Sequence, residues 1–266
     1  MTPSEAAFER HLTEASRQPF SGWDFSYLRG RMLEDRPTWD YAEQARRRFP
    51  GVATLLDLGT GGGEVLAGLA PLPPRTIATE GYAPNVEIAR HCLAPLGVEV
   101  AAVEGAPDNI EIAPGAGIGS LPFPDQSFSL VINRHESYYP VEVHRVLAPG
   151  GMFLTQQVGG AHHQALNRLL GASDKAGTAW NLDFAAAQLA AAGFQISDQR
   201  EEFPETAFLD IGAVVYYLKA VPWQVPDFTV ASYWDRLATL HARIEAEGSL
   251  CIPSHLFYLE AIRPLA

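Results

Sequence analysis

From Val52 onward, short apolar runs alternate with stretches that read as helical. This texture predicts strands and helices in turn. Residues 53–58 read as a strand that enters a glycine turn, and a helix follows through Leu69. A second strand is expected over residues 75–79, a helix over 84–93 and a third strand over 98–103. Residues 128–132 form a fourth strand after the turn Pro124-Asp125-Gln126-Ser127. A helix over 141–147 then leads through Pro149-Gly150-Gly151 to a strand over 152–158. An alanine-rich helix over 181–192, closed by Gly193, precedes a strand over 194–203, and residues 255–262 end the chain as the last strand. Short connections between alternating strands and helices indicate a doubly wound α/β core with a mostly parallel sheet.

The flanks differ. Residues 1–50 read as helical, with Ser4 capping a first helix to Arg17 and Pro37 opening a second before Pro50-Gly51. Residues 204–253 form an excursion with helical patterns at 210–219 and 231–247. It carries Tyr216, Tyr217, Trp223, Phe228, Tyr233 and Trp234, too apolar a set for a linker. The expected organisation is therefore an N-terminal helical cap (1–50), a core (51–203), an inserted aromatic cap (204–253) and a final core strand (254–266), the two caps forming a lid.

At 266 residues and 47% hydrophobic composition, the chain can bury a core of this size. No apolar run reaches the roughly 20 residues that span a bilayer, and no signal-peptide pattern opens the chain, so a cytoplasmic protein is expected. Cys92 and Cys251 lack a partner motif and read as reduced, structural residues. The formal net charge of -12 counts against a nucleic-acid partner. Arg46-Arg47-Arg48 ends a helix and reads as a solvated last turn.

The chemistry concentrates in Asp57-Leu58-Gly59-Thr60-Gly61-Gly62-Gly63-Glu64, a strand running through glycines into a helix. Glycines let the backbone approach a ligand, and the helix start offers free N–H groups. A dinucleotide fingerprint requires glycine where Glu64 stands, beside a pyrophosphate. A carboxylate there has the wrong sign for phosphate, and Asp57 two residues before the turn suits a cation. S-adenosylmethionine, with a sulfonium and an ammonium but no phosphate, fits these signs. Glu80, 19 residues beyond Gly61, suits the two hydroxyls of a ribose, a device shared with nicotinamide enzymes.

Asp57-x-Gly59-x-Gly61-x-Gly63 resembles motif I of the class I S-adenosylmethionine-dependent methyltransferases. Residues 121–132, Leu-Pro-Phe-Pro-Asp-Gln-Ser-Phe-Ser-Leu-Val-Ile, are similar to the approach to that family's fourth strand, and residues 142–151 to the helix and turn before its fifth. The ubiquinone/menaquinone-biosynthesis branch is the nearest in pattern, and the specific match covers about residues 52–158. The resemblance implies a seven-stranded sheet with an antiparallel last strand. It also implies a methionine moiety by Asp57, Gly59 and Gly61, a ribose on Glu80, and Tyr82 beside ribose or adenine. Thr60, Gly63, Gly81 and Asn133 complete the expected cofactor set. The acid that meets the adenine is assigned to Glu104, with Asp108 second, because a glycine-rich insertion separates this region from Leu121.

Residues after the fourth strand face the crevice in such folds. His135 is the candidate general base with Glu136 orienting it, against a packing role for both. His162-His163 lacks a third metal ligand at suitable spacing and reads as a solvated helix start, so no metal is expected. One of Gln156 and Gln157 should face the pocket by alternation. Trp23, Tyr27, Arg31, Trp39, Arg134, Tyr138, Tyr216, Tyr217 and Trp223 are the candidates for an acceptor pocket. The expected activity is methyl transfer from S-adenosylmethionine to a small-molecule acceptor. An RNA or protein methyltransferase and a non-catalytic cofactor-binding protein are the alternatives.

Overall fold

Reciprocal hydrogen bonds start the first helix, α1 (Pro3–Arg17). The Thr2 hydroxyl accepts the Glu5 N–H at 3.2 Å and the Glu5 carboxylate accepts the Thr2 N–H at 2.6 Å, so Thr2 rather than Ser4 is the cap. Strand β1 (Met32–Glu34) follows, in a region expected to be helical. Helix α2 (Tyr41–Arg48) opens on Asp40, whose carboxylate accepts the Glu43 N–H at 2.9 Å; Pro37 has no such acceptor and lies outside the helix. The computed structural model describes residues 2–20, 24–106, 109, 119–174, 177 and 179–265.

The chain continues through β2 (Thr54–Leu58), α3 (Glu64–Gly68), β3 (Arg75–Glu80), α4 (Ala83–Leu93) and β4 (Glu99–Ala102). Then come β5 (Phe128–Arg134), α5 (Pro140–Val146), β6 (Leu147–Val158), α6 (Gln164–Leu170), α7 (Leu182–Ala191) and β7 (Gln195–Glu202). The last elements are β8 (Glu205–Phe208), α8 (Ile211–Ala220), α9 (Trp234–Glu247), β9 (Leu250–Pro253) and β10 (Leu256–Ile262). Strand β6 runs through the expected Pro149-Gly150-Gly151 turn, because Gly150 N–H and Gly151 O bond to Arg263 O and N–H.

Two compact units result. The larger comprises Thr38–Gly159, Ala179–Glu202 and Leu256–Ala266. Its seven-stranded sheet has the order β4-β3-β2-β5-β6-β10-β7, with β2 to β6 parallel and β10 antiparallel to both β6 and β7. This is the expected doubly wound, Rossmann-like arrangement. Successive side chains of a strand point to opposite faces, and the core divides accordingly. Leu55, Leu130, Ile132, Leu154 and Tyr258 pack with Leu66 and Leu93 of α3 and α4. Leu56, Leu58, Val131, Phe153 and Phe257 pack with Val143 and Leu189 of α5 and α7. Burial on both faces explains why β2 and β5 read as nearly unbroken apolar runs.

The arginine run is more than a solvated turn. Arg48 donates to both oxygens of Glu260, at 3.2 and 2.5 Å, and Glu260 is fully buried on β10, where it also accepts from the Tyr258 hydroxyl. Arg46 reaches Gly68 O, and Arg47 pairs with Glu43.

The smaller unit comprises Met1–Pro37, Gly160–Thr178 and Phe203–His255. A three-stranded antiparallel sheet, β1-β8-β9, joins helices α1, α6, α8 and α9. Helix α8, capped by Asp210 through the Ala213 N–H at 2.9 Å, is buried along almost its whole length. His163 caps α6 but is not solvated: it is fully buried, its ring stacks on His162 at 3.8 Å, and its Nε2 lies 3.1 Å from the Thr206 hydroxyl.

Removing one partner of a buried ion pair strands the other charge. Arg48→Met is therefore expected to destabilise the protein by about 2–3 kcal/mol in urea unfolding, the half-exposed arginine allowing some rehydration of Glu260. An unchanged unfolding midpoint would show that the pair contributes nothing.

Candidate active site

Strands β3 and β4 extend the sheet to one side of β2, and the chain then crosses to place β5 on the other side. That reversal opens a crevice beyond the carboxyl ends of β2 and β5, where Leu58 pairs with Asn133. The glycine elbow of residues 59–63 lies there. Gly59 has φ +70°, and any Cβ at this position would collide with Cβ and Cγ of Glu136. Gly63, at φ +88°, starts α3 and leaves no room for a side chain against Leu93, whose Cγ would lie 2.9 Å from an added Cβ.

The end of β3 ties the elbow down. Glu80 is buried, and its Oε2 accepts the Gly61 N–H at 2.7 Å while its Oε1 accepts the Tyr82 N–H at 2.7 Å. Thr79 accepts from Gly59 through its hydroxyl at 3.2 Å and from the Thr60 N–H through its carbonyl at 2.8 Å. Each carboxylate oxygen has a second lone pair, so Glu80 keeps acceptor capacity for a ligand.

The crevice is acidic. Gly59, Gly81 and Gly105 contribute backbone to its lining, and Glu104, Glu136 and Glu142 contribute carboxyl groups, while no Lys, Arg or His is among the described lining residues. Glu142 is neutralised by Arg145 at 2.8 Å and by the Leu121 N–H at 2.9 Å. Among the described residues Glu136 has no such partner cation: burial, and then the charge of Glu80, push its carboxyl up to about 7. Asp57, also buried, is raised to about 6 by desolvation, with the Thr60 hydroxyl opposing and Glu80 adding to the shift. Tyr41, at the start of α2, lies close enough to Asp57 and Arg134 for both to act on its hydroxyl, which burial holds well above its usual range. Sequence pattern alone does not single out Tyr41, because its apolar helix position looks like core.

Residues 56–155 match a family described as a methyltransferase domain. The fold agrees. A putative methyltransferase from Bacillus halodurans C-125 superposes with a TM-score of 0.58 at 17% identity, over 84% of this chain and 97% of its own. The YcgJ protein of Bacillus subtilis gives 0.58 at 18%, over 85% and 99%. The [4+2]-cyclase SpnF gives 0.52 at 17%, over 99% and 95%. A search of curated protein sequences gives no significant match.

Of the expected cofactor residues, Gly59, Gly81 and Glu104 line this crevice; Asp57 and Glu80 lie at the ends of β2 and β3, Thr60, Gly61 and Gly63 lie in the elbow, and Tyr82 is half exposed at the start of α4. Asn133 points into the sheet instead. Its Nδ2 donates to Leu58 O at 3.1 Å, and its Oδ1 accepts from Thr155 at 2.8 Å and from Gln157 at 2.6 Å. His135 follows β5 at φ +63°, a conformation costly for most side chains. Its N–H donates to Gln156 O at 2.9 Å, and its Nε2 lies 3.0 Å from the Gln156 amide nitrogen. Gln157 also donates to Glu136 O at 3.1 Å, so both glutamines engage the segment after β5.

The expected acceptor residues separate. Tyr138 borders the crevice but is buried against Phe153 and Trp180, at ring distances of 4.8 and 6.3 Å. Trp39 is core in the larger unit, its indole donating to Gln156 at 2.9 Å. Arg134 is exposed at the end of β5. Tyr27, Arg31 and Tyr216 belong to the smaller unit: Arg31 lies 4.3 Å over the Tyr27 ring and is held by Asp210, and the Tyr216 hydroxyl donates to Asp24 O at 3.1 Å. Tyr217 is buried and Trp223 half exposed in the same unit. Trp23 and Asp108 lie outside the described residues.

A carboxyl whose folded value exceeds its unfolded one stabilises fully below the unfolded value and loses that contribution as pH rises through the folded one. For Glu136 that window runs from the ordinary 4.5 to about 7. Glu136→Gln is thus expected to raise stability at about pH 8 by on the order of 2–3 kcal/mol, several degrees in Tm, with the gain vanishing near pH 4.5. A gain independent of pH would disconnect it from this carboxyl.

Proposed function

We propose that the domain transfers the methyl group of S-adenosylmethionine to a small-molecule acceptor. The observation that carries this reading is the charge of the crevice: Glu104 and Glu136 line it with no basic side chain in the described lining, and the buried Asp57 and Glu80 stand at the ends of β2 and β3, Glu80 on the Gly61 N–H of the elbow. A phosphate-bearing nucleotide meets repulsion there, whereas a sulfonium compound relieves it. The cofactor supplies an electrophilic methyl group when bound. Asp57, Gly59, Thr60 and Gly61 would hold its charged end, Glu80 its ribose, and Gly81, Tyr82 and Glu104 its adenine side, with Gly63 shaping the elbow.

Positioning does most of the remaining work, since an acceptor atom about 3–3.5 Å from the methyl carbon reacts without further assistance unless it must lose a proton. Glu136 is the group suited to take that proton. It is poised at about 7 beside the elbow, near the value at which a general base is both available and effective. The small-molecule reading is supported by the net charge of -12, unfavourable for gripping a phosphate backbone, and by the acidic crevice. Arg134 and Tyr138, at and just beyond the end of β5, are assigned to the acceptor side. Among the described residues no helix is long and apolar enough to cross a membrane.

Titration calorimetry is expected to register S-adenosylmethionine binding that strengthens between about pH 5.5 and 8 as Asp57 and Glu136 ionise. Glu80→Ala should weaken it roughly 10–100-fold, with unchanged affinity removing Glu80 from the site. Incubating the protein with methyl-labelled cofactor and a cell extract should place label in metabolites; label confined to RNA or protein would overturn the small-molecule assignment.

A further inference from the structure

Three side chains of the larger unit form a chain whose hydrogen-bond polarity admits a single solution. The indole nitrogen of Trp39 only donates, and its N–H meets Gln156 Oε1 at 2.9 Å. That contact fixes which end of the Gln156 amide is oxygen, because the flipped amide would set NH2 against the indole N–H. The amide nitrogen, also only a donor, therefore faces His135 Nε2 at 3.0 Å. Trp39 and Gln156 are both buried, at 3% and 5% exposure, so water does not compete freely for the indole–amide contact. The backbone adds a second constraint: His135 N–H donates to Gln156 O at 2.9 Å, holding the two residues in register.

We infer that Trp39 and Gln156 are positioning residues that hold His135 as the neutral tautomer with its proton on Nδ1. A proton on Nε2 would point at the glutamine NH2, so the lone pair on Nε2 is occupied. In the methyl-transfer reading of the crevice, on which its significance rests, His135 is then not the general base at Nε2. It is a neutral ring carrying its proton on Nδ1, while Glu136 is left as the proton acceptor. The strained φ of +63° at His135 is maintained by the same contacts.

The test is two-bond 1H–15N correlation of the histidine side chains in the uniformly labelled full chain at about pH 7.5, with His135 assigned by its loss in His135→Gln. The expected result is a non-protonated Nε2 and a protonated Nδ1. Gln156→Glu replaces the NH2 by an acceptor and should move the proton to Nε2, and Trp39→Phe frees the amide to turn and should give a mixture. A protonated Nε2 in the wild type, which needs no variant to fold, overturns the inference, as does an unaltered tautomer in folded Gln156→Glu. Titration of the same sample with S-adenosylmethionine separates the two readings: a missing calorimetric response defeats the methyltransferase assignment and leaves the tautomer result standing.

Discussion

One buried carboxylate organises this protein's chemistry. Glu80 sits where β3 ends and takes two backbone N–H groups, from Gly61 on the elbow after β2 and from Tyr82 on the turn after β3. Two loops that share no local contact in sequence are thereby fixed to one another. Charge-assisted bonds of this kind are about twice as strong as neutral ones. The elbow's left-handed residues, Gly59, Gly61 and Gly63, have no side chains to brace them, so the clamp and Thr79 supply the order that glycine itself lacks.

The same carboxylate sets the electrostatics around it. It opposes ionisation of both Asp57 and Glu136, each already desolvated by burial. Packing three acids this closely destabilises the ligand-free fold at neutral pH, and a ligand bearing positive charge reverses the sign of the interaction. The strain is local to the site that uses it. The bulk of the larger unit is an ordinary two-faced sheet core, with the parallel strands buried on both sides.

Two further hydrogen-bond systems prepare the segment after β5. Asn133, Thr155 and Gln157 lock the strand ends to one another, and Gln157 reaches on to Glu136 O. Gln156 and Trp39 do the same for His135 from the opposite direction.

The sequence alone determined what depends on neighbouring residues: the strand and helix order, the glycine elbow, the acid after β3 and the signs that favour a cationic adenosyl ligand. These are short-range patterns, set by periodicity, backbone freedom and charge. Tertiary structure alone decided what depends on residues far apart. Strands β1, β8 and β9 are three or four residues long, too short for periodicity to register, and exist because Met32 pairs with Phe208 and Phe208 with Leu250. His163 is buried, and Arg48 finds Glu260, only after more distant segments have packed. Likewise, no local pattern reveals that Trp39 orients Gln156 or that Glu136 lies against Gly59. Such contacts join segments separated by dozens of residues, and their free energy arises from burial and hydrogen-bond direction, which a linear pattern does not encode.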